Sequence, residues 1–139
     1  MICGSIGYGG LWYIEDLYSF LCSKGFNVVN HIMDRRMNYS AIKDFRRRKR
    51  LSGKIVEHDL NYVRQADVLV VIADRPSYGT AIEVFIAKKY GKKIILLAKD
   101  PIPTPWLVNF SDYILTSQDG LVRLLHRLEK NSSARSQIK

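Results

Sequence analysis

The chain has 139 residues, is 47% hydrophobic and carries a formal net charge of +9. That length suits one domain with its own core. No apolar run nears the ~20 residues that cross a bilayer, and two cysteines are too few for a disulfide framework.

The N-terminus lacks a basic stretch followed by an apolar core, so no signal peptide is expected, and reduced thiols in the cytoplasm are the default. Residues 1–3 can form only a short strand, because Gly4 follows at once. Leu11, Ile14, Leu17, Tyr18 and Leu21 recur at helical spacing, and Gly25 stops that helix. Phe26 to Asn30 is predicted as a second short strand. Residues 31–52 have no clean period and read as a long inserted loop. A helix is predicted from Ser52 or Gly53 to about Gln65. Val68 to Ala73 is a continuous apolar run, the pattern of a strand buried on both faces. A helix over Thr80 to Tyr90 ends at Gly91. A buried strand at Ile94 to Ala98, a proline-rich loop to Pro105, a short strand at Tyr113 to Leu115 and a helix from Leu121 to Leu128 complete the domain. The polar residues 131–139 are expected to form a flexible tail.

Strands alternating with helices predict a single doubly wound α/β domain over residues 1–130. Its mainly parallel five-stranded sheet, of flavodoxin or Rossmann-like type, has helices on both faces. With strand order 2-1-3-4-5, ligands bind at the carboxyl ends of strands 1 and 3, next to Gly4–Gly10 and Asp74–Gly79.

Two carboxylates flank the central apolar strand. Val56, Asp59, Leu60 and Val63 occupy i, i+3, i+4 and i+7, which places an acid in the inward stripe of a helix. Burying an ionised carboxylate is costly unless it is paired. Asp59 is therefore either a site residue or an edge residue that accepts a loop amide. Glu83 is the one charged residue between Ala81 and Ala87. Thr80-Ala-Ile-Glu83 also fits a capping box, and an acid in a first helical turn gains from the helix dipole. Spacing alone does not separate a cap from a nucleophile.

Gly4-Ser-Ile-Gly-Tyr-Gly-Gly10 lacks both the dinucleotide fingerprint and the lysine of a P-loop. It is either a tight turn or a loop that brings amides to an anion or sugar near Ser5. The histidines (His31, His58, His126) and cysteines show no ligand spacing, so neither a metal nor a cofactor is indicated.

Together these pieces resemble the nucleoside 2-deoxyribosyltransferase superfamily, and most of all its 2'-deoxynucleoside 5'-phosphate N-hydrolase branch. The matching residues are Cys3-Gly4-Ser5-Ile6, Asp59-Leu60-Asn61, Gln65-Ala66-Asp67, Pro76-Ser77-x-Gly79, Glu83, Ala87 and Gly91-Lys92. The resemblance implies cleavage of the bond between a base and a 2-deoxyribose, by water or by transfer to a second base. It implies Glu83 as nucleophile and Asp59 as the group that positions the sugar and moves protons. Gly4, Ser5, Ser77 and Gly79 would hold the sugar or its 5'-phosphate, with Ile6 and Asn61 beside them. His31, after the second predicted strand, is a candidate contact to the base. A homodimer is implied as well. The chain departs from the pattern at Met1, where a tyrosine is expected, and at Gly7, where the N-hydrolases carry an arginine. It departs a third time in Pro101–Val108, where the partner-subunit serine of the N-hydrolases has no clear match, although Thr104 is nearby. Gly79-Thr80-x-x-Glu83 also echoes the G-T-x-x-E of cytokinin-activating phosphoribohydrolases, which cleave the same kind of bond.

Residues 35–54 hold nine basic side chains against Asp44, and so account for nearly all of the net charge. The run Arg46–Arg50 is a solvated loop, a lid attracting anionic substrate or a nucleic-acid contact. The competing functional class is a non-catalytic nucleotide or nucleic-acid binding module on the same fold.

Overall fold

The computed structural model describes residues 1–32 and 39–136. Four parallel strands form one sheet in the order β1 (Ile2–Cys3), β2 (Val68–Ile72), β3 (Lys93–Leu97), β4 (Tyr113–Leu115). Ile2 pairs with Val70, Val70 with Ile95, and Ile95 with Tyr113, so one row of side chains crosses the whole sheet. The helices are α1 (Leu11–Ser23), α2 (Lys49–Gln65), α3 (Tyr78–Lys89), α4 (Pro105–Phe110) and α5 (Gln118–Ser136).

The sheet has four strands where five are expected. Phe26–Asn30 keeps the alternation of a strand: Val28 packs on one core and Val29 on the other. It makes no ladder with β1, because cavities bordered by Ile2, Val28 and Val29 lie beside that edge. The two residues of β1 also offer little backbone to pair with. The four strands present keep the expected order. The helix predicted to open at Ser52 or Gly53 begins earlier, at Lys49. The residues expected as a flexible tail continue α5 to Ser136, with Asn131–Ser133 exposed on it. Residues 33–38 of the predicted inserted loop lie outside the described residues.

Alternate strand residues point to opposite faces. Ile2, Val70, Ile72, Ile95 and Leu97 meet Leu17 and Leu21 of α1 and Leu121 and Leu124 of α5. Cys3, Leu69, Val71, Ile94 and Leu96 meet Val63 of α2 and Val84 and Ala87 of α3. The sheet is thus covered on both faces, as its near-continuous apolar strands require. On α2 the fully turned-in residues are Ile55 and Val63, while Val56, expected inward, is 54% exposed.

Between β1 and α1 the chain makes one wide turn of π-helix, Ile6–Gly10. This turn brings the Ser5 carbonyl against Gly10, where an added Cβ would overlap it. At Gly7 nothing lies within 4 Å of an added Cβ. Gly10→Ala is therefore expected to lower stability by roughly 1–3 kcal/mol, whereas Gly7→Ala stays within about 0.5 kcal/mol of the parent. Thermal unfolding of the two variants measures the difference.

Candidate active site

A small cavity of about 70 Å³ opens at the carboxyl end of the sheet, on the α2–α3 side. Three elements supply most of its polar groups. Gly4 follows β1. Asp59 comes from α2, with Val56 and Leu60 on the same helical face. Ser77, Gly79, Thr80 and Glu83 come from the start of α3. Ile6, Ile82, His31 and Tyr39 complete the wall.

The start of α3 decides what Glu83 is. The N-cap is Ser77, whose side chain accepts from the Thr80 amide at 3.4 Å. Thr80 is therefore already inside the helix, and the first turn contains no acid. Glu83 sits almost two turns in, beyond the reach of a capping box. The helix has its cap without it. Glu83 is instead 8% exposed and sits against the thiol of Cys3, which is fully buried at the end of β1.

Burial pushes the Glu83 carboxyl up to about 8, the charge of Asp59 adds to this, and a hydrogen bond from Cys3 opposes it. Burial also raises Asp59, against the pull of His58, whose Nδ1 lies 3.3 Å from Asp59 Oδ1. Two carboxyls in one cavity hold a proton between them near neutral pH. Tyr39 is pushed up to about 12 by burial and by both carboxyls. Burial lowers His31 to about 4, helped by the N-terminus and His58, so its imidazole is neutral at pH 7. Its ring lies 6.2 Å from that of Tyr62.

The cavity gathers Glu83, Asp59, Gly4, Ile6, Ser77, Gly79 and His31. Two expected residues are elsewhere. Asn61 is exposed and accepts from Arg64 at 2.7 Å, because it lies on the solvent side of α2. Ser5 is 4% exposed but borders a second cavity on the α1 side of Gly4. Tyr39, Thr80 and Cys3 join the site without having been assigned a role there. Thr80 was legible as a cap and as the threonine of the G-T-x-x-E echo, and Tyr39 sits in a segment with no period. Thr80 Oγ1 is buried and has no hydrogen-bond partner among the described residues. A buried hydroxyl of this kind is unusual, and it leaves hydrogen-bonding capacity beside Glu83. Thr104 caps α4, accepting from the Trp106 amide at 3.4 Å.

The described residues contain no group of three or more histidines, cysteines or acids placed to hold a metal ion. No described helix is long and apolar enough to cross a membrane.

No family model matches the chain, and no curated protein matches it. Among solved structures, the CMP N-glycosidase BcmB of Clostridium botulinum has a similar fold, with a TM-score of 0.56 and 22% identity. The match covers 90% of this chain and 97% of that one. At this identity the likeness is one of fold.

Glu83 titrates far above an ordinary glutamate, so the folded chain holds a proton there that the unfolded chain releases. A raised acid loses its stabilising contribution as pH climbs from the unfolded value toward the folded one. Below about pH 6.5, His31 works in the opposite sense, because its folded value is depressed. Between pH 6.5 and 8 the stability difference between wild type and Glu83→Gln isolates Glu83. Wild type is expected to lose about 1.4 kcal/mol per pH unit relative to the variant. Urea unfolding of both proteins at several pH values measures this.

Proposed function

We propose that the chain cleaves the N-glycosidic bond of a nucleoside or its 5'-monophosphate, with Glu83 as nucleophile and Asp59 moving protons. The observation that carries this is Glu83 itself: buried, not needed as a cap, and paired with a second raised carboxyl in a cavity at the sheet's carboxyl end. Two carboxyls of unlike protonation can divide nucleophilic and acid work, as in retaining glycosidases. The Glu83 carboxylate attacks the anomeric carbon as the bond to the base breaks, and Asp59 delivers the proton the departing base takes up. Water, or a second base, then cleaves the glycosyl–Glu83 ester.

The sugar sits between Gly4 and Gly79, where a Cβ at Gly79 would meet nothing closer than Ser77 Oγ at 3.9 Å, leaving room for close approach. Thr80 and Tyr39 offer it hydroxyls, and Tyr39 takes the place of the tyrosine missing at Met1. His31, neutral, can hydrogen-bond the base. The resemblance favours 2-deoxyribose, while the similarly folded BcmB is named for CMP, a ribonucleotide. Both sugars therefore belong in the substrate screen. A homodimer is part of the reading. Tyr78, Ile82 and Phe85, at i, i+4 and i+7, form an exposed apolar stripe on α3, and Ile82 also borders the cavity. A second copy on this face would cover the site mouth.

The binding-module alternative draws on the start of α2. Lys49 and Arg50 lie in its first turn, no acid stands there, and Arg48 provides no side-chain cap. Positive charge at a helix N-terminus is unfavourable, and a nucleic-acid phosphate would relieve it. That reading requires salt-sensitive nucleic-acid binding with no base release.

Chromatography of deoxynucleosides, ribonucleosides and their monophosphates, each with and without a second free base, tests the reaction. Base release is expected, falling to background in Glu83→Gln and by roughly 10²-fold or more in Asp59→Asn. Full turnover by Glu83→Gln removes it as nucleophile. The pH profile tests the proton's role. The reactive form is the singly protonated pair after the proton that burial holds on Glu83 has passed to Asp59, which frees the Glu83 carboxylate to attack. Because the pair loses its last proton near pH 8, kcat/KM is expected to fall above that pH. A rate that keeps rising past pH 8 would mean that Asp59 does not protonate the leaving base.

A further inference from the structure

A larger cavity, about 310 Å³, lies on the opposite side of Gly4 from the carboxyl pair. Gly4 borders both cavities, so the two are back to back across one residue. Loops after three successive strands build the second one: Ser5 and the π-helical turn after β1, Asp74 and Arg75 after β2, and Lys99 and Asp100 after β3. Trp12 and Tyr13 of α1 form an aromatic wall, their rings 5.6 Å apart.

Three independent features of this cavity suit an anion. The first is cationic. Arg75 and Lys99 both border it, and the Arg75 guanidinium lies 3.5 Å from where a Cβ at Gly9 would stand. Gly9 has a φ of +84°, so a side chain there is strained as well as crowded, and the guanidinium can lie over bare backbone. The second is the backbone. Gly9 and Gly10 line the cavity where the π-helical turn passes into α1, a 13-residue helix whose positive dipole end favours negative charge there. The third is Ser5. It is 96% buried, it lines the cavity, and its Oγ has no hydrogen-bond partner among the described residues. A buried hydroxyl without a partner is the group that a ligand oxygen would satisfy. Of the two acids, Asp74 already ties the loops together, its Oδ1 accepting from the Lys99 amide at 3.2 Å. Asp100 is exposed.

We propose that this cavity is a phosphomonoester-binding site, held by the side chains of Arg75, Lys99 and Ser5 at the positive end of the α1 dipole. Arg75 and Lys99 thereby supply the charge that the loop after β1 lacks at Gly7. The phosphate belongs either to the substrate itself, reaching across Gly4, or to a separate phosphate-bearing molecule stacked on Trp12. The first source rests on the N-glycosidase reading, and the site itself does not.

Calorimetric titration of inorganic phosphate into the Glu83→Gln protein tests the site without turnover. Saturable one-to-one binding is expected. Adding Arg75→Ala and Lys99→Ala together should weaken it by about tenfold or more, as loss of charge-assisted hydrogen bonds does. The control pair Lys89→Ala and Lys130→Ala removes the same charge elsewhere and should bind as the parent does. Absence of saturable binding, or equal weakening by both pairs, overturns the proposal. Kinetics on the parent protein separate the two sources. If the phosphate is the substrate's own, Arg75→Ala with Lys99→Ala lowers the ratio of kcat/KM for monophosphate over nucleoside by about tenfold. If it belongs to a separate molecule, that ratio holds while phosphate binding is still lost. Failure of base release with phosphate binding intact would refute the enzyme reading and leave this site standing.

Discussion

The site depends on one costly act, the burial of the Glu83 carboxyl against the carboxyl end of a parallel sheet. A buried carboxylate without a cation costs several kcal/mol, and the ordinary response is to stay protonated. Among the described residues no lysine or arginine pairs with Glu83 or Asp59. The proton that burial holds on Glu83 sets the charge state of the cavity, while burial itself raises Tyr39 and keeps His31 neutral beside it. A merely structural residue at this position could be apolar at no loss to the core. The cost is understandable where the carboxyl has work to do.

The scaffold holds this arrangement from three directions. β1 is only two residues long, but its pairing with Val70 and Val71 fixes where Cys3 and Gly4 stand. Ser77 caps α3, so the turn carrying Thr80 and Glu83 begins at a defined point. Val63 anchors α2 in the core one turn beyond Asp59 and so sets how Asp59 faces the cavity. At the far end of the sheet, Asp112 accepts from the Ile94 amide at 2.9 Å and lies near Lys88 and Lys93. That contact ties α3 to β3 and β4 away from the site.

Much of this was legible in the sequence. The run Val68–Ala73 announces a strand buried on both faces, and Gly25 and Gly91 mark the ends of the helices before them. The acid in the stripe of α2 could be read either as a site residue or as an edge residue, and in the structure Asp59 borders the cavity. What could not be read were features decided by tertiary contact. Phe26–Asn30 has the pattern of a strand but lacks a full-length partner to pair with. Thr80-x-x-Glu83 is a capping box by spacing, and only the preceding Ser77 shows that the cap is already taken. Tyr39 has no periodic signal, because a loop brings it to the cavity. Ser5 and Asn61 share motifs with site residues and yet face elsewhere, one across Gly4 and one to solvent.

The central claim is that Glu83 forms a covalent bond to the sugar during turnover. Mass spectrometry of protein quenched with acid in the steady state, followed by peptide mapping, tests it directly. The account predicts an added mass equal to one glycosyl unit of the substrate, confined to the peptide bearing Glu83 and absent from Glu83→Gln. Base release in the rapid presence of substrate with no adduct on that peptide, or an adduct on Asp59 in its place, would contradict it.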